Sequence, residues 1–301
     1  MMKLKPNETK KHHFVAQCLQ REFASNLDKT EIYQFPISCK RHYLLEAAKP
    51  CEIETNLQLE NLFTLQMLEN SQQVNLESVF GVLENQFARN VLKLNSTKLE
   101  QAKAQDLEQI LKNLLAYFFL DYMRSPHRKA EILRGFLQLP ESVQHMVFDK
   151  LEHPDLAHTE DYHTKLLALG LLSVNRYSEE LGNFISGTGA WLSTTLFVYD
   201  DQTLLHGGIA LSDMSILSNT MEDGNYIYVN ALSKNKFMVT MFDKEKLNLI
   251  NYSRKRRSKP IVQTRFNDLD MLANYNKLTV TLSKGFVYSN SKVIYGVKNI
   301  N

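Results

Sequence analysis

The pattern of apolar and polar positions divides the chain into three zones. In residues 1–55, apolar positions four apart at Val15, Leu19 and Phe23 predict a short helix. Alternating apolar residues over Thr30–Pro36 predict one short strand. The remainder of this zone is mixed and polar, so we predict an N-terminal segment that contains one short helix and one short strand.

Residues 56–180 show the three- to four-residue apolar spacing of helices almost throughout. Separate apolar runs predict helices over Leu57–Leu68, Val79–Leu94, Leu107–Met123, Arg128–Leu137, Glu141–Leu151 and Asp161–Leu172. The third helix should end at Ser125-Pro126, because proline disfavours helical backbone in the residue that precedes it. We therefore predict a helical central region.

Residues 181–301 change to short β-branched and aromatic stretches separated by Asp, Asn and Gly, the pattern typical of strands and turns. The strongest stretches are Leu196–Tyr199, Ile209–Leu211, Tyr226–Val229, Phe237–Phe242 and Leu278–Leu282. The segment Gly285–Gly296 predicts a closing hairpin that turns at Asn290-Ser291. The whole pattern predicts an α+β fold, with a helical N-terminal and central region followed by an antiparallel β-rich region packed on it as one unit.

Composition excludes several classes of protein. Hydrophobic residues make up 44% of the 301 residues and charged residues 23%, which excludes bulk disorder. A net charge of +2 gives no global attraction to nucleic acid, so such a partner would need a local basic patch. Apolar runs such as Leu114–Leu120 are too short to cross a membrane, and the N-terminus lacks the apolar core of a signal peptide. We expect a cytoplasmic protein without a membrane partner, with Cys18, Cys39 and Cys51 as reduced thiols.

Two polar groups on separate elements are candidates for chemistry. His12 and His13 are adjacent and therefore point in different directions, so we expect one of them to serve a site. Glu77 and Glu84 are two helical turns apart and share one helix face, where each carboxylate can contribute to a site between helices. The alternatives are a surface pair of histidines and a solvated helix face.

Arg124 closes the longest apolar helix and follows Leu120 by one turn, so it should lie on or beside the buried face. A buried arginine usually has a carboxylate or phosphate partner. Pairing with Glu77 or Glu84 is the structural interpretation, and binding of a phosphate is the functional one. We predict that Glu84 and Arg124 lie within salt-bridge reach, and that His12 or His13 faces the same cluster.

A basic run between Ser253 and Pro260 forms the strongest local positive charge in the chain. Its consecutive members are Arg254, Lys255, Arg256 and Arg257. We predict an exposed loop between two strands, which either contacts a nucleic-acid backbone or is simply solvated. Dinucleotide-binding, P-loop, zinc-protease and serine-hydrolase motifs are missing from the sequence.

Several of these segments occur in an order that resembles domain-of-unknown-function family 4238, a widespread bacterial family. That family opens with His-His-aromatic-Val-Pro-Gln-x-x-Leu-x-x-Phe, and His12–Phe23 is similar. Its next helix carries two glutamates seven residues apart, as Glu77 and Glu84 are here. A later helix ends in Arg-Thr/Ser-Pro, which Arg124-Ser125-Pro126 matches. Its closing segment is similar to Phe266–Ala273, so the resemblance spans most of the chain.

Two positions depart from the family pattern. Ala16 replaces the proline that follows the histidine pair, and Gly187, within Ser186–Gly189, replaces the aspartate of Ser-Asp-Asn-Pro. Asp213 is the nearest substitute for that aspartate. The resemblance implies a shared fold and a shared polar constellation of His, Glu, Glu and Arg.

Such a constellation is what a phosphodiester-cleaving site requires, because carboxylates and histidine bind a divalent cation or transfer protons while arginine stabilises phosphoryl charge. A structural hydrogen-bond network is the alternative explanation of the same residues. We therefore predict a metal-assisted nuclease or phosphodiesterase, an effector of a bacterial antiphage defence or toxin system. The alternative is a non-catalytic component of such a system that binds nucleic acid or a partner protein. The predicted roles are catalysis for His12, His13, Glu77, Glu84 and Arg124; binding of Mg²⁺ or Mn²⁺ for His13, Glu84 and Asp213; and substrate binding for Gln17, Arg254, Lys255, Arg256 and Arg257.

Overall fold

A computed structural model describes residues 5–6, 11–60, 62, 64–66, 73–75, 77–138, 190–243 and 260–300. Four predicted features lie outside these residues: the helices over Glu141–Leu151 and Asp161–Leu172, the segment Ser186–Gly189, and the basic residues 254–257.

The described part of the chain combines helices with strands that concentrate in its C-terminal region, so the predicted α+β class is confirmed. The helices are α1 (Gln17–Arg21), α2 (Glu77–Ser96), α3 (Ala104–Arg124), α4 (Lys129–Leu137) and α5 (Leu269–Leu282), with 3-10 helices at Pro126–Arg128 and Thr203–His206. Among these described helices, none has the length and apolar character that crossing a membrane requires.

The strands are mostly short. They are β1 (Lys5–Pro6), β2 (Lys11–His13), β3 (Glu31–Cys39), β4 (Leu44–Leu45), β5 (Lys49–Glu52), β6 (Gln58–Glu60), β7 (Thr64–Gln66), β8 (Gln73–Asn75), β9 (Trp191–Val198), β10 (Leu211–Ser212), β11 (Ile216–Thr220), β12 (Tyr226–Ser233), β13 (Lys236–Phe242), β14 (Ile261–Phe266), β15 (Phe286–Ser289) and β16 (Lys298–Asn299).

Two larger sheets organise these strands. A five-stranded sheet has the order β11-β12-β13-β9-β14, antiparallel except where β14 runs parallel to β9. A six-stranded sheet has the order β10-β15-β3-β4-β16, with β5 also paired to β3. Strand β3, from the N-terminal zone, therefore pairs with β15 from the C-terminal zone, so these two zones of sequence are not separate in space.

Helices α2 and α3 pack together through the apolar faces that their spacing predicts. The rings of Phe87 and Tyr117 lie 4.4 Å apart, and those of Phe87 and Phe118 lie 5.7 Å apart in an edge-to-face contact. Helix α3 ends at Arg124, and Ser125 is extended, as the following proline requires. This packing brings the polar end of α3 next to Glu84 on α2.

The helix predicted over Leu57–Leu68 is wrong. Gln58–Glu60 forms β6 against β2, and Thr64–Gln66 forms β7 against β8. Leu57 is buried while Leu59 is 45% exposed, so these leucines do not form one helix face. Apolar spacing alone does not distinguish a short strand from a helix, and strand pairing determines the structure here.

The strand predicted over Leu278–Leu282 is also wrong, because these residues form the last turns of α5. The side chain of Asp268 caps this helix by accepting a hydrogen bond from the Met271 N–H at 3.0 Å. The helix buries residues at helical spacing, namely Leu272, Tyr275, Asn276, Thr279 and Val280. Burial of this face outweighs the strand preference of the β-branched residues in its last turns.

The closing hairpin predicted for Gly285–Gly296 does not form. Phe286–Ser289 is β15, which lies between β3 and β10 and pairs with both. The segment that follows it reaches β16, which runs parallel to Leu44–Leu45. Distant strands therefore take the pairing positions that a local hairpin would have used.

Candidate functional site

Arg124 lies at the centre of a buried polar cluster where α2 meets the end of α3. Its Nη1 lies 2.9 Å from Oε1 of Glu84, and its Nε lies 2.5 Å from Oδ1 of Asp121, one turn earlier on α3. The side chain of Arg124 is 2% exposed, whereas that of Glu84 is 26% exposed. The predicted Glu84–Arg124 salt bridge is therefore confirmed. We call Arg124, Glu84, Asp121, His13 and Gln17 the Arg124 cluster.

Two carboxylates share the single cation of Arg124, and the more deeply buried one is perturbed. Burial raises the pKa of Asp121 to about 6, against the opposing effect of Arg124 and with a further contribution from Glu84. The hydroxyl of Ser215, just before β11, donates a hydrogen bond to Oδ2 of Asp121. Burial disfavours the charged guanidinium, but the neighbouring acidic groups outweigh that effect and raise the pKa of Arg124.

Two guanidinium nitrogens of Arg124 lack a hydrogen bond of ordinary geometry among the described residues, Nε and Nη2, although Nε lies 2.5 Å from Oδ1 of Asp121. The Nη2 of Arg124 is buried and has no hydrogen-bond partner among the described residues. The guanidinium carbon lies 5.2 Å from the centre of the Phe80 ring, which covers the cation with an aromatic face. A buried N–H without an acceptor is costly, so an oxygen atom that reached Nη2 would be stabilised there.

The two N-terminal histidines have different environments, as their adjacency predicts. His12 is fully buried in β2, whereas His13 is half-buried. The Nε2 of His13 lies 3.0 Å from the carbonyl oxygen of Glu54 and 3.2 Å from the side-chain amide of Gln17. Burial lowers the pKa of His13, and the charges of Glu84 and Arg124 act on it in opposite directions. His13 is therefore close enough for the charges of Glu84 and Arg124 to act on it, while the prediction that it serves the site stays a prediction.

Three further members of this neighbourhood were not predicted as site residues. Asp121 contacts Arg124 directly. The charges of Glu84, Arg124 and Asp121 all act on the half-buried Cys18, whose thiol pKa is raised chiefly by burial. Tyr117 is buried and its pKa is raised by burial and then by Asp121. A sequence signal existed for the α3 pair, because Tyr117 and Asp121 precede Arg124 by seven and three residues and therefore share its helix face.

All three cysteines are free thiols, as predicted.

Asp213, predicted as a metal ligand, holds a backbone turn. Its Oδ1 accepts a hydrogen bond from the N–H of Lys284 at 2.8 Å, and its Oδ2 accepts from Gly285 at 2.7 Å and Phe286 at 3.0 Å. Both oxygens are therefore engaged by the turn that leads into β15. Its role toward a metal stays a prediction.

The described residues do not fit a divalent metal ion. No group of three or more His, Cys, Asp or Glu side chains within them is arranged to hold one, and the side chain of Glu77 lies outside the description. The Arg124 guanidinium, 2.9 Å from Glu84, already places a positive charge where a cation bound by Glu84 would lie. Repulsion between the two cations would weaken metal binding at that carboxylate.

Gln17 connects the cluster to an open groove of about 890 Å³. Two basic residues, Arg21 and Lys29, line this groove together with four acidic ones, Asp28, Glu31, Glu52 and Glu54. Its own charge therefore does not attract a phosphate backbone. Contacts with nucleic acid would have to come from elsewhere, such as the basic run at residues 254–257.

Comparisons with known proteins add no relatives. A scan against models of protein families found no match, and searches of curated proteins and of solved structures found none either. The resemblance to domain-of-unknown-function family 4238 therefore rests on its motifs and stays a prediction.

Proposed function

We propose that the Arg124 cluster is the phosphodiester-cleaving site of a nuclease or phosphodiesterase. The observation that carries this proposal is the 2.9 Å ion pair between Glu84 and Arg124, whose charges also act on the half-buried His13 from a third segment of the chain. His13 and Glu84 keep partial access to solvent there. A proton acceptor beside a fixed positive charge is the combination that hydrolysis of a phosphodiester needs.

Each residue of this trio has a distinct role in the proposal. His13 accepts a proton from the attacking water, because burial lowers its pKa and keeps the ring neutral at neutral pH. Glu84 orients Arg124, and its charge stabilises the imidazolium that His13 becomes. The unpaired Nη2 of Arg124 is the donor that would bind a phosphoryl oxygen. The proton then passes from His13 to the leaving oxygen or to solvent.

The proposal assigns no step to the predicted Mg²⁺ or Mn²⁺, and the experiment below tests whether either ion is needed. A divalent metal would supply a second positive charge on the phosphoryl group and would lower the pKa of an attacking water. Because the described residues do not fit such an ion, no step is assigned to it.

The near-complete burial of Arg124 favours a second candidate, a non-catalytic protein that binds nucleic acid or a partner protein. In that case the cluster serves to hold α2 against α3, since one arginine joins a carboxylate from each helix. We propose either role for a protein of a bacterial antiphage defence or toxin system.

The decisive experiment incubates the purified protein with single- and double-stranded RNA and DNA, in Mg²⁺, in Mn²⁺ and in chelator. We expect cleavage that falls by about a hundredfold or more in His13→Asn and Glu84→Gln, the loss typical of removing a general base or its supporting charge. His42→Asn and Glu131→Gln are matched controls, because both of these side chains are exposed and lie outside the cluster.

Equal activity in His13→Asn and wild type would overturn the assignment of the site. Binding of a nucleic acid without cleavage under any of the metal conditions would support the second candidate instead. Thermal melts of every variant separate a loss of activity from a loss of fold.

A further inference from the structure

A second cleft lies away from the Arg124 cluster, where the end of α2 meets the end of β9, the start of β13 and the turn between β14 and α5. Its volume is about 450 Å³. The residues that matter here are Asn95, Lys98, Tyr199, Lys236, Phe266 and Asn267. None of them belongs to the Arg124 cluster, so this cleft needs its own explanation.

Lys236 is the unusual residue of this cleft, because it is a buried cation without an anion. The residue is 7% exposed. Its Nζ donates hydrogen bonds to Oδ1 of Asn95 at 2.8 Å and to Oδ1 of Asn235 at 3.1 Å, both neutral amides. In the part of the chain that the structure describes, no carboxylate forms an ion pair with it and no third acceptor is present. An ammonium group has three donors and prefers a charged partner when buried.

Asp200 and Glu100 line the cleft, but neither forms an ion pair with Lys236, whose two hydrogen bonds go to Asn95 and Asn235. Glu22 acts on Lys236 from a distance, but its carboxylate already lies 3.2 Å from Nζ of Lys29. Asp200 accepts hydrogen bonds from the Thr203 N–H at 2.7 Å and from the side-chain amide of Asn267 at 2.7 Å. Burial is the main cause of the lowered pKa of Lys236, which agrees with an uncompensated charge.

We propose that this cleft binds a small anion through Lys236, with a phosphate or carboxylate group at the ammonium and a planar group against Phe266. The Phe266 side chain is 41% exposed at the cleft, which leaves its ring available for stacking. A volume of about 450 Å³ suits a ligand of mononucleotide size. This inference does not depend on the proposed cleavage of phosphodiesters, because it uses none of the same residues.

The experiment titrates the full-length protein with AMP, inorganic phosphate and acetate by isothermal calorimetry, in a buffer free of other oxyanions. We expect AMP to bind more tightly than phosphate, and one or both of the simple anions to compete with it. Lys236→Met should weaken binding by about tenfold or more, the factor expected when one charge-assisted hydrogen bond is lost. Phe266→Ala should remove the advantage of AMP over phosphate and leave phosphate binding unchanged.

Lys234→Met is the matched control, because Lys234 lies two residues away on the same hairpin and is exposed. Its affinity for AMP should match that of the wild type. AMP should also raise the melting temperature of the wild type and of Lys234→Met, but not that of Lys236→Met. If none of the three anions binds the wild type at about 10 mM, or if Lys236→Met binds as well as Lys234→Met, the proposal is wrong.

Discussion

At the scale of single residues, Arg124 serves two carboxylates that differ in their access to water. The carboxylate of Glu84 reaches the edge of the cluster, whereas that of Asp121 is completely enclosed. A single positive charge cannot compensate both equally, so the enclosed carboxylate bears the larger cost of ionisation. Because of this difference, we expect the stability of the folded protein to depend on pH through Asp121.

We expect Asp121 to make the folded protein less stable as the pH rises from about 4 to about 6. Its pKa in the folded state is about 6, above its ordinary value of 3.8, so the folded protein holds this proton more tightly than the unfolded chain does. The stabilisation is complete below the unfolded pKa and is lost as the pH rises through the folded one. A difference of about two units corresponds to up to about 3 kcal/mol. Urea unfolding of wild type and Asp121→Asn at about pH 4, 5.5 and 7 measures it.

Asparagine does not titrate, so the free energy of unfolding of Asp121→Asn should rise relative to that of the wild type as the pH increases from about 4 to about 7. A difference that stays constant with pH would contradict the raised pKa of Asp121. Glu131→Gln is the matched control for removing a carboxylate near the same helix end, because the Glu131 side chain is 62% exposed.

Contacts of this site could be predicted where regular helices carry both residues, and not where a partner comes from a distant part of the sequence. Glu84 and Arg124 lie on two long helices with regular apolar stripes, and their positions beside those stripes were enough to predict the salt bridge. The hydrogen bond from Ser215 to Asp121 joins residues that are 94 positions apart, so no local sequence pattern could predict it. His13 could be placed through its motif, but its closeness to Glu84 depends on the packing of β2 and α1 against the helices.

At the scale of elements, the errors fall where local preference and burial disagree. In Leu278–Leu282, β-branched residues favour a strand, but Thr279 and Val280 belong to the buried face of α5. The hydroxyl of Thr279 donates a hydrogen bond to the Tyr275 carbonyl at 2.9 Å, which satisfies it within the helix. Helices α2 and α3 were predicted because their preference, spacing and termination all agree.

Because the last turns of α5 have weak helix preference, we expect its first turn to matter for stability. Asp268→Ala removes the acceptor of the Met271 N–H and should lower the free energy of unfolding by about 1 kcal/mol, the usual effect of losing an N-cap. Asp270→Ala is the control, since Asp270 also lies in the first turn but is not the capping residue. Urea denaturation compares the two, and an equal or smaller loss in Asp268→Ala would contradict the capping role.

At the scale of the whole molecule, the ends of the chain are joined through the six-stranded sheet. Strand β3 pairs with β15, and β4 pairs with β16, so residues near both ends of the sequence share hydrogen bonds. Ile32 and Phe35 of β3 are fully buried. The changes in composition near residues 55 and 180 therefore reflect where helices and strands follow one another along the sequence. In the described part of the chain they are not domain boundaries.

We expect a protein that lacks residues 1–55 to fail to fold cooperatively. The deletion removes β3, β4 and β5 together, so β15 and β16 lose the strands they pair with on that side. It also exposes the partners of Ile32 and Phe35 and removes His13, whose pKa responds to the charges of Glu84 and Arg124. Backbone groups of β15 would lose their acceptors and donors while the sheet around them lost its apolar cover. Circular dichroism with thermal melting compares residues 56–301 with the full chain, and residues 11–301 are the control because they retain β2, α1 and β3. A cooperative transition in residues 56–301 at the melting temperature of the full chain would show that residues 1–55 are not needed for folding.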